Sequence, residues 1–136
     1  MVSALDISTS ALVAQRTRLN VISGNIANMG TLKNEAGENE PYKARYVEFM
    51  TDQDISTSDG AIGVKVSEIQ TVEEDPIIRH QPNHPLADEN GNVAYPNVDL
   101  HTEMVDALLA TRAYEANVGI IEISKGMGRE TLEILA

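Results

Sequence analysis

The sequence predicts an α+β protein in which long N- and C-terminal helices pair as a coiled coil, with a small β-rich central segment and irregular loops. Three observations carry this prediction: a seven-residue recurrence of aliphatic residues near the N-terminus, a second amphipathic pattern near the C-terminus, and short alternating runs between them. The predicted boundaries divide the 136 residues into an N-terminal helix at 1–29, a loop and β-rich segment at 30–98, and a C-terminal helix at 99–136.

The N-terminal helix is predicted from its heptad spacing. Ser3 and Asp6 resemble a capping box at its start, and residues 28–30 are typical of a helix end. Aliphatic residues seven apart lie on one slowly drifting face, as they do in a coiled-coil seam. The predicted seam consists of Leu5, Leu12, Leu19, Ile22 and Ile26. A second stripe makes this helix apolar on two faces, which indicates two packing partners; it consists of Ile7, Ala14 and Val21.

The central segment alternates between strand-like and turn-rich stretches. Alternating apolar residues predict strands at 42–50, 63–72 and, more briefly, 77–80. The second of these runs changes phase at Ile69, which a β-bulge would produce. Polar, acidic or proline-rich composition predicts loops at 30–40, 52–60 and 81–98.

The C-terminal helix is predicted to begin after Asp99 as its N-cap. Apolar residues then follow spacings of four and three, which is a strong amphipathic signal. This pattern contains Leu109, Ala113, Ala116, Ile120, Ile123, Met127 and Ile134, and its first five members form the second predicted seam. Gly119 and Gly126 are seven apart on a neighbouring face, where they indicate either a weak, fraying helix end or close approach of another helix.

Composition excludes several classes of function. A formal net charge of −11 disfavours binding to nucleic acid or to an anionic membrane surface. The chain has no cysteine, so it forms no disulfide and no thiolate zinc site. Only 4% of its residues are aromatic, which indicates that much of its burial comes from partners. The N-terminus does not read as a secretory signal, so we expect a different export route if the protein works outside the cytoplasm.

No pattern supports catalysis or a cofactor. The sequence has no G-x-S-x-G, P-loop or H-E-x-x-H motif, so we expect no enzyme activity, cofactor or small-molecule substrate. Residues 88–92 begin like a calcium loop, but Val93 stands where that loop requires glycine, which favours a tight turn. His80, His84, His101 and Glu103 are best explained as scattered residues, not metal ligands.

Two long segments resemble a known family. ALDISTSALVAQRTRLNVISGNIAN is similar to the start of bacterial flagellar rod and hook axial proteins. GVKV-x-x-I-x-x-V-x-x-D, HP at 84–85 and VAYPNVDLHTEMVDALLATRAYEANV resemble the proximal-rod members of that family, and together the matches cover nearly the whole chain.

The resemblance implies a structural subunit of the flagellar basal body. Such subunits polymerise through their terminal helices into the hollow drive shaft that crosses the periplasm and transmits motor torque. The implied partners are other copies of the chain, other rod proteins and, during secretion, the flagellar type III export apparatus. The alternative is a helical adaptor that forms a discrete complex with one partner. Besides the two seams, the resemblance places Asn25, Asn28, Arg112, Tyr114, Glu115 and Asn117 at the assembly interface.

Overall fold

The computed structural model describes residues 4–135. Two long helices enclose four strands in chain order. The elements are α1 (Ala4–Ala27), β1 (Arg45–Ser56), β2 (Ile62–Thr71), β3 (Ile77–His80), β4 (Asn92–Tyr95) and α2 (Leu100–Leu135). The predicted α+β class is confirmed, while Ser3 of the predicted capping box lies outside the described residues.

Side chains close both inner helix ends, as the sequence predicts. At the end of α1, the Asn28 backbone N–H and its Nδ2 both donate to the Gly24 carbonyl, at 3.1 and 2.9 Å. At the start of α2, Asp99 Oδ1 accepts a hydrogen bond from the His101 N–H at 3.1 Å, and Oδ2 accepts one from Thr102 Oγ1 at 2.8 Å. Asp99 is therefore the N-cap.

The two helices pack against each other in antiparallel directions. Arg18 of α1 forms an ion pair with Asp106 at 3.2 Å, and Asn25, two turns later, hydrogen-bonds to Glu103 at 3.0 Å. Residue numbers thus rise along α1 as they fall along α2. Because both contacts involve polar groups, they fix the relative register of the helices more specifically than aliphatic packing does.

β1 and β2 form an antiparallel hairpin along α1. β2 has a bulge: Glu48 pairs with Glu68 and Phe49 with Val66, which leaves Ser67 as the extra residue. This confirms the predicted phase change. The predicted limits of β1 were wrong, since the strand begins at Arg45 and includes residues 52–56, which composition assigns to a loop. A hairpin with one face in water tolerates such polar residues, and Asp52 is paired there with Lys65 at 3.1 Å.

β3 and β4 form a second antiparallel hairpin. β3 was predicted, but β4 was missed inside the predicted loop at 81–98, because four residues between turn residues show too little alternation. The turn before β4 is tight: Asp88 Oδ1 accepts hydrogen bonds from the N–H groups of Asn90 and Asn92, at 2.9 and 2.8 Å. Gly91 completes it with a φ of +75°. The predicted turn at this calcium-loop-like sequence is confirmed.

Ser10 connects the first hairpin to α1. Its hydroxyl donates to the Ile7 carbonyl at 2.7 Å and accepts from the Val64 N–H at 3.1 Å. Gly63 is buried here, and a Cβ added to it would lie 2.8 Å from Ile55 Cβ and 3.1 Å from Ser10 Oγ. A side chain at position 63 would therefore collide with Ile55 of β1 and crowd Ser10 of α1. Within residues 4–135, no helix has the length and hydropathy to cross a membrane.

Candidate assembly surfaces

Asn25, in the last turns of α1, joins three elements through its side chain. It is 2% exposed. Its Nδ2 donates to the Arg45 carbonyl at 2.8 Å and to Glu103 Oε1 at 3.0 Å. Its Oδ1 accepts from the Arg45 N–H at 2.9 Å and from the Tyr42 hydroxyl at 3.0 Å. Both donors and both acceptor positions of the amide are thus occupied. We call Asn25, Tyr42, Arg45 and Glu103 the Asn25 hub.

Burial shifts the pKa values of two hub residues, Glu103 and Tyr42. It raises the pKa of Glu103 above its usual value; the Asn25 hydrogen bond opposes this, and the nearby Asp106 carboxylate adds to it. Burial also raises the pKa of Tyr42, against the effect of the Arg45 cation and with that of Glu103. Because every polar atom of the Asn25 side chain has a partner, the hub holds α1, β1 and α2 together.

The predicted α1 residues lie on sheltered surface. Ile22 is buried, and Leu5, Leu12, Leu19, Ile26 and Asn28 are all half-buried. Asn28 also accepts a hydrogen bond from Thr31 Oγ1 at 3.0 Å, so it organises the chain where α1 ends. Asn28 therefore caps a backbone carbonyl at the end of α1, whereas Asn25 bonds to the backbone of Arg45 outside the helix.

The predicted seam of α2 is mostly exposed to solvent, unlike that of α1. Leu109, Ile120 and Ile123 are 56%, 47% and 65% exposed. Ala116 is exposed as well, and only Ala113 of this predicted seam is half-buried. The stripe that α2 does shelter is a neighbouring one, about 100° away around the helix. It contains Glu103, Ala107, Ala110, Tyr114, Asn117, Ile121 and Ser124, all buried or half-buried.

The sheltered stripe is less apolar than the exposed one. Its centre is Ala110, which is fully buried, and small or polar residues surround it. Apolar periodicity selects the more hydrophobic face of α2. The sequence therefore predicted the exposed face as the seam and missed the stripe that packs within one chain. Tyr114 and Asn117 lie on the sheltered stripe, and Asn117 Nδ2 donates to the Ala113 carbonyl at 2.8 Å.

Arg112 and Glu115 form the ion pair that their spacing predicts. The Arg112 Nη1–Glu115 Oε2 distance is 2.9 Å, and both side chains are more than half exposed. An exposed pair three residues apart adds only a few tenths of a kcal/mol to helix stability. The pair therefore marks the outward face of α2 and contributes little to the fold.

A continuous apolar surface remains on the outside of α2. We call it the outer stripe; it consists of Val105, Leu109, Ala116, Ile120, Ile123 and Met127. Val105 extends the predicted seam by one turn and was missed, although its spacing of four from Leu109 is a visible signal. Exposed apolar surface of this length is typical of interaction sites.

Over residues 4–135, no three His, Asp or Glu side chains come close enough together to hold a metal ion. His84 Nδ1 accepts a hydrogen bond from the Leu86 N–H at 3.1 Å, and His80 lies 3.3 Å from Asn92 Oδ1, so both have local structural partners.

The terminal helices match two family models. Residues 5–31 match the model described as "Flagella basal body rod protein". Residues 89–134 match the model described as "Flagellar basal body rod FlgEFG protein C-terminal". These matches cover nearly all of α1 and of α2, and they assign the chain to the class of flagellar basal-body rod proteins.

Full-length relatives identify the family within that class. A flagellar basal-body rod protein FlgC of Salmonella typhimurium is 37% identical over 134 residues, which cover 98% of this chain and 97% of that protein. FlgC of Bacillus subtilis is 39% identical over 143 residues, with 96% and 95% covered. FlgC of Borreliella burgdorferi is 36% identical over 151 residues, with 98% and 96% covered. The chain belongs to the FlgC family of flagellar basal-body rod proteins and is thus a structural subunit of the rod.

Proposed function

We propose that this chain polymerises through its terminal helices into the proximal part of the rod, the hollow shaft that transmits motor torque across the periplasm. The observation that carries this proposal is the outer stripe of α2. It is long, apolar and uncovered in a single chain, while the buried amide of Asn25 is fully hydrogen-bonded within that chain. The outer stripe is therefore a hydrophobic helical surface that is available to a partner.

The two helices of one chain act as a unit in this proposal. α1 and α2 pair as an antiparallel coiled coil, held in register by the Arg18–Asp106 ion pair and by the hub. Neighbouring subunits then cover the outer stripe with their own helices, and the two predicted seams become buried in the assembly. A contact of this kind that does not close on itself produces an open helical stack, as a rod requires.

Family membership supports the remaining parts of the proposal. The partners are further copies of this chain and other rod proteins, and the location is the flagellar basal body. Passage through the flagellar type III export apparatus follows from the resemblance to axial proteins. Secretion of an epitope-tagged chain that stops when that apparatus is deleted tests this part. This role requires neither a cofactor nor catalysis.

Cryo-electron microscopy of isolated basal bodies tests the central claim. We expect density for several copies of this chain in the proximal rod, with α1 and α2 innermost. A purified chain that forms only a closed one-to-one complex with one partner, and is absent from the rod, would support an adaptor and refute the proposal.

A substitution in the outer stripe gives an independent test. Ile123→Asp places a carboxylate on the exposed stripe without disturbing the sheltered one, so we expect a folded chain that no longer enters basal bodies. Glu122→Gln, at the next exposed position, is the control and should assemble normally. Normal incorporation of Ile123→Asp would show that the outer stripe is not an assembly surface.

A further inference from the structure

Asn90 and Gly91 form the only Asn-Gly dipeptide of the chain, and they lie in the turn between β3 and β4. An asparagine that precedes glycine is especially prone to spontaneous deamidation, because glycine has no side chain to hinder attack by its own backbone nitrogen. Asn90 is exposed, so water has access to its side-chain amide. A chemically labile pair therefore lies on the surface of the protein.

The turn requires the glycine of this pair. Gly91 has a φ of +75°, which L-residues rarely adopt. A Cβ added to it would lie 3.0 Å from Pro82 Cβ and 3.1 Å from His80 Cε1, so the space beside it is also filled. The fold thus keeps glycine after Asn90, and with it the reactivity of the asparagine.

The folded turn opposes the reaction. Deamidation requires the Gly91 nitrogen to lose its proton and to approach Cγ of Asn90. In the structure, the Gly91 N–H donates to the Asp88 carbonyl at 2.9 Å, and the Asn90 N–H donates to Asp88 Oδ1 at 2.9 Å. These hydrogen bonds hold the backbone on both sides of Cγ, and the Asp88 carboxylate disfavours negative charge on a neighbouring nitrogen. The closed turn therefore protects Asn90.

We infer that Asn90 is a deamidation site that the turn at residues 88–92 protects in the folded chain and exposes to reaction when it opens. The Gly91 nitrogen then attacks Cγ of Asn90, so that an N–Cγ bond forms, the Cγ–Nδ2 bond breaks and ammonia leaves. Water opens the resulting cyclic imide at either carbonyl, which gives aspartate or isoaspartate. The inference does not depend on the proposed rod function.

Isoaspartate would alter the second hairpin, because it adds a methylene to the main chain. The turn is closed by hydrogen bonds from the Asp88 N–H to the Asn92 carbonyl at 2.9 Å and from the Gln81 N–H to the Gly91 carbonyl at 2.8 Å. Both bonds enclose the lengthened segment, so isoaspartate should break them. Within residues 4–135, neither β3 nor β4 packs against a helix or against the first hairpin, so the rest of the fold should persist.

Deamidation of the full-length chain is measured in neutral buffer and in guanidinium chloride. Peptide mass spectrometry follows the conversion of the Asn90 amide to an acid. Conversion should be at least about tenfold slower in the folded chain, since the reaction requires local opening. Asn92, which precedes valine, is the internal reference and should convert slowly in both conditions. Equal rates for Asn90 in both conditions would overturn the protection, and no conversion in denaturant would overturn the site itself.

A pair of variants tests whether the turn gives the protection. Asp88→Ala removes the carboxylate that holds the N–H groups of Asn90 and Asn92, so conversion in the folded chain should rise by about tenfold. Glu89→Ala is the matched control, because it removes an exposed neighbouring carboxylate and leaves these hydrogen bonds intact. Circular dichroism verifies that both variants retain their helices. No change in Asp88→Ala, or an equal rise in Glu89→Ala, would refute protection by the turn.

Hydrogen exchange tests the structural consequence. The isoaspartate fraction is isolated from chain aged in denaturant, refolded and compared with Asn90→Asp, which has the same charge and a normal main chain. The N–H groups of Gln81 and Asp88 should exchange rapidly in the isoaspartate fraction and remain protected in Asn90→Asp. Equal protection in the two samples would show that the hairpin accommodates isoaspartate and would overturn this part of the inference.

Discussion

Replacing Asn25 with alanine should remove much of the stability of the isolated chain. The substitution deletes four hydrogen bonds, two of them to the backbone of Arg45 and one each to Tyr42 and Glu103. The hydroxyl and the carboxylate are only partly buried and regain water, so their net loss is small. The Arg45 N–H and carbonyl lose the buried Asn25 side chain as their partner, at about 1–3 kcal/mol for each unsatisfied group. We therefore expect a loss of about 3 kcal/mol.

Urea unfolding followed by circular dichroism measures this loss. With a denaturant dependence of about 2 kcal/mol per molar, the midpoint should fall by about 1.5 M. Asn34→Ala is a matched control, since Asn34 also makes three hydrogen bonds through its side chain, but these hydrogen bonds are exposed to water. It should change stability by no more than about 0.5 kcal/mol. A midpoint for Asn25→Ala within the error of the unaltered chain, or an equal loss in Asn34→Ala, would refute the reasoning.

Three further predictions follow from particular contacts. Because burial raises the pKa of Glu103 in the folded chain, the proton that it binds stabilises the fold at acidic pH, and this contribution is lost as pH rises from the unfolded pKa through the folded one. Glu103→Gln keeps an acceptor for Asn25, so its stability relative to the unaltered chain should increase from pH 4 to pH 7 in urea titrations; a constant difference would contradict this. Gly63→Ala should cost about 1–3 kcal/mol, since its Cβ meets Ile55 and Ser10, whereas Gly24→Ala, with nothing within 4 Å, should gain up to about 1 kcal/mol in the α1 interior. Thermal unfolding measures both, and equal effects at the two glycines would show that close approach at position 63 does not matter. Asp99→Ala should lower the urea midpoint while Asp99→Asn largely preserves it, because either oxygen-bearing side chain caps α2; equal losses in the two variants would argue against capping.

The sequence predicted those elements whose signals, periodicity and capping, lie within a few neighbouring residues. Both helices, the Asp99 cap and the bulge in β2 were predicted from patterns within a few residues. β4 and the length of β1 were not, because short solvent-facing strands carry little alternation. The sequence also did not predict which face of α2 packs against the rest of the chain, and the reason there is different. Which stripe packs inside the chain depends on shape, and Ala110 allows close approach where the larger side chains of the outer stripe do not.

Asn25 illustrates the same limit. The family resemblance places Asn25 at the assembly interface, but in the single chain its side chain bonds to residues that lie 17, 20 and 78 positions away, and no local pattern reveals them. The predicted assembly interface remains a prediction. The exposed state of Leu109, Ala116, Ile120 and Ile123 leaves these residues available for such contacts.

The 78-residue separation between Asn25 and Glu103 also sets an order of events during synthesis or secretion. A chain that passes through a narrow channel as an extended strand presents only part of its length at the exit. While either residue is still inside, the amide of Asn25 has water in place of Glu103, and α1 has no polar contact to hold it against α2. The hub can be completed only after more than half of the chain has emerged. In a chain delivered in this way, the contacts that hold α1 against α2 therefore form late, once both helices are outside the channel.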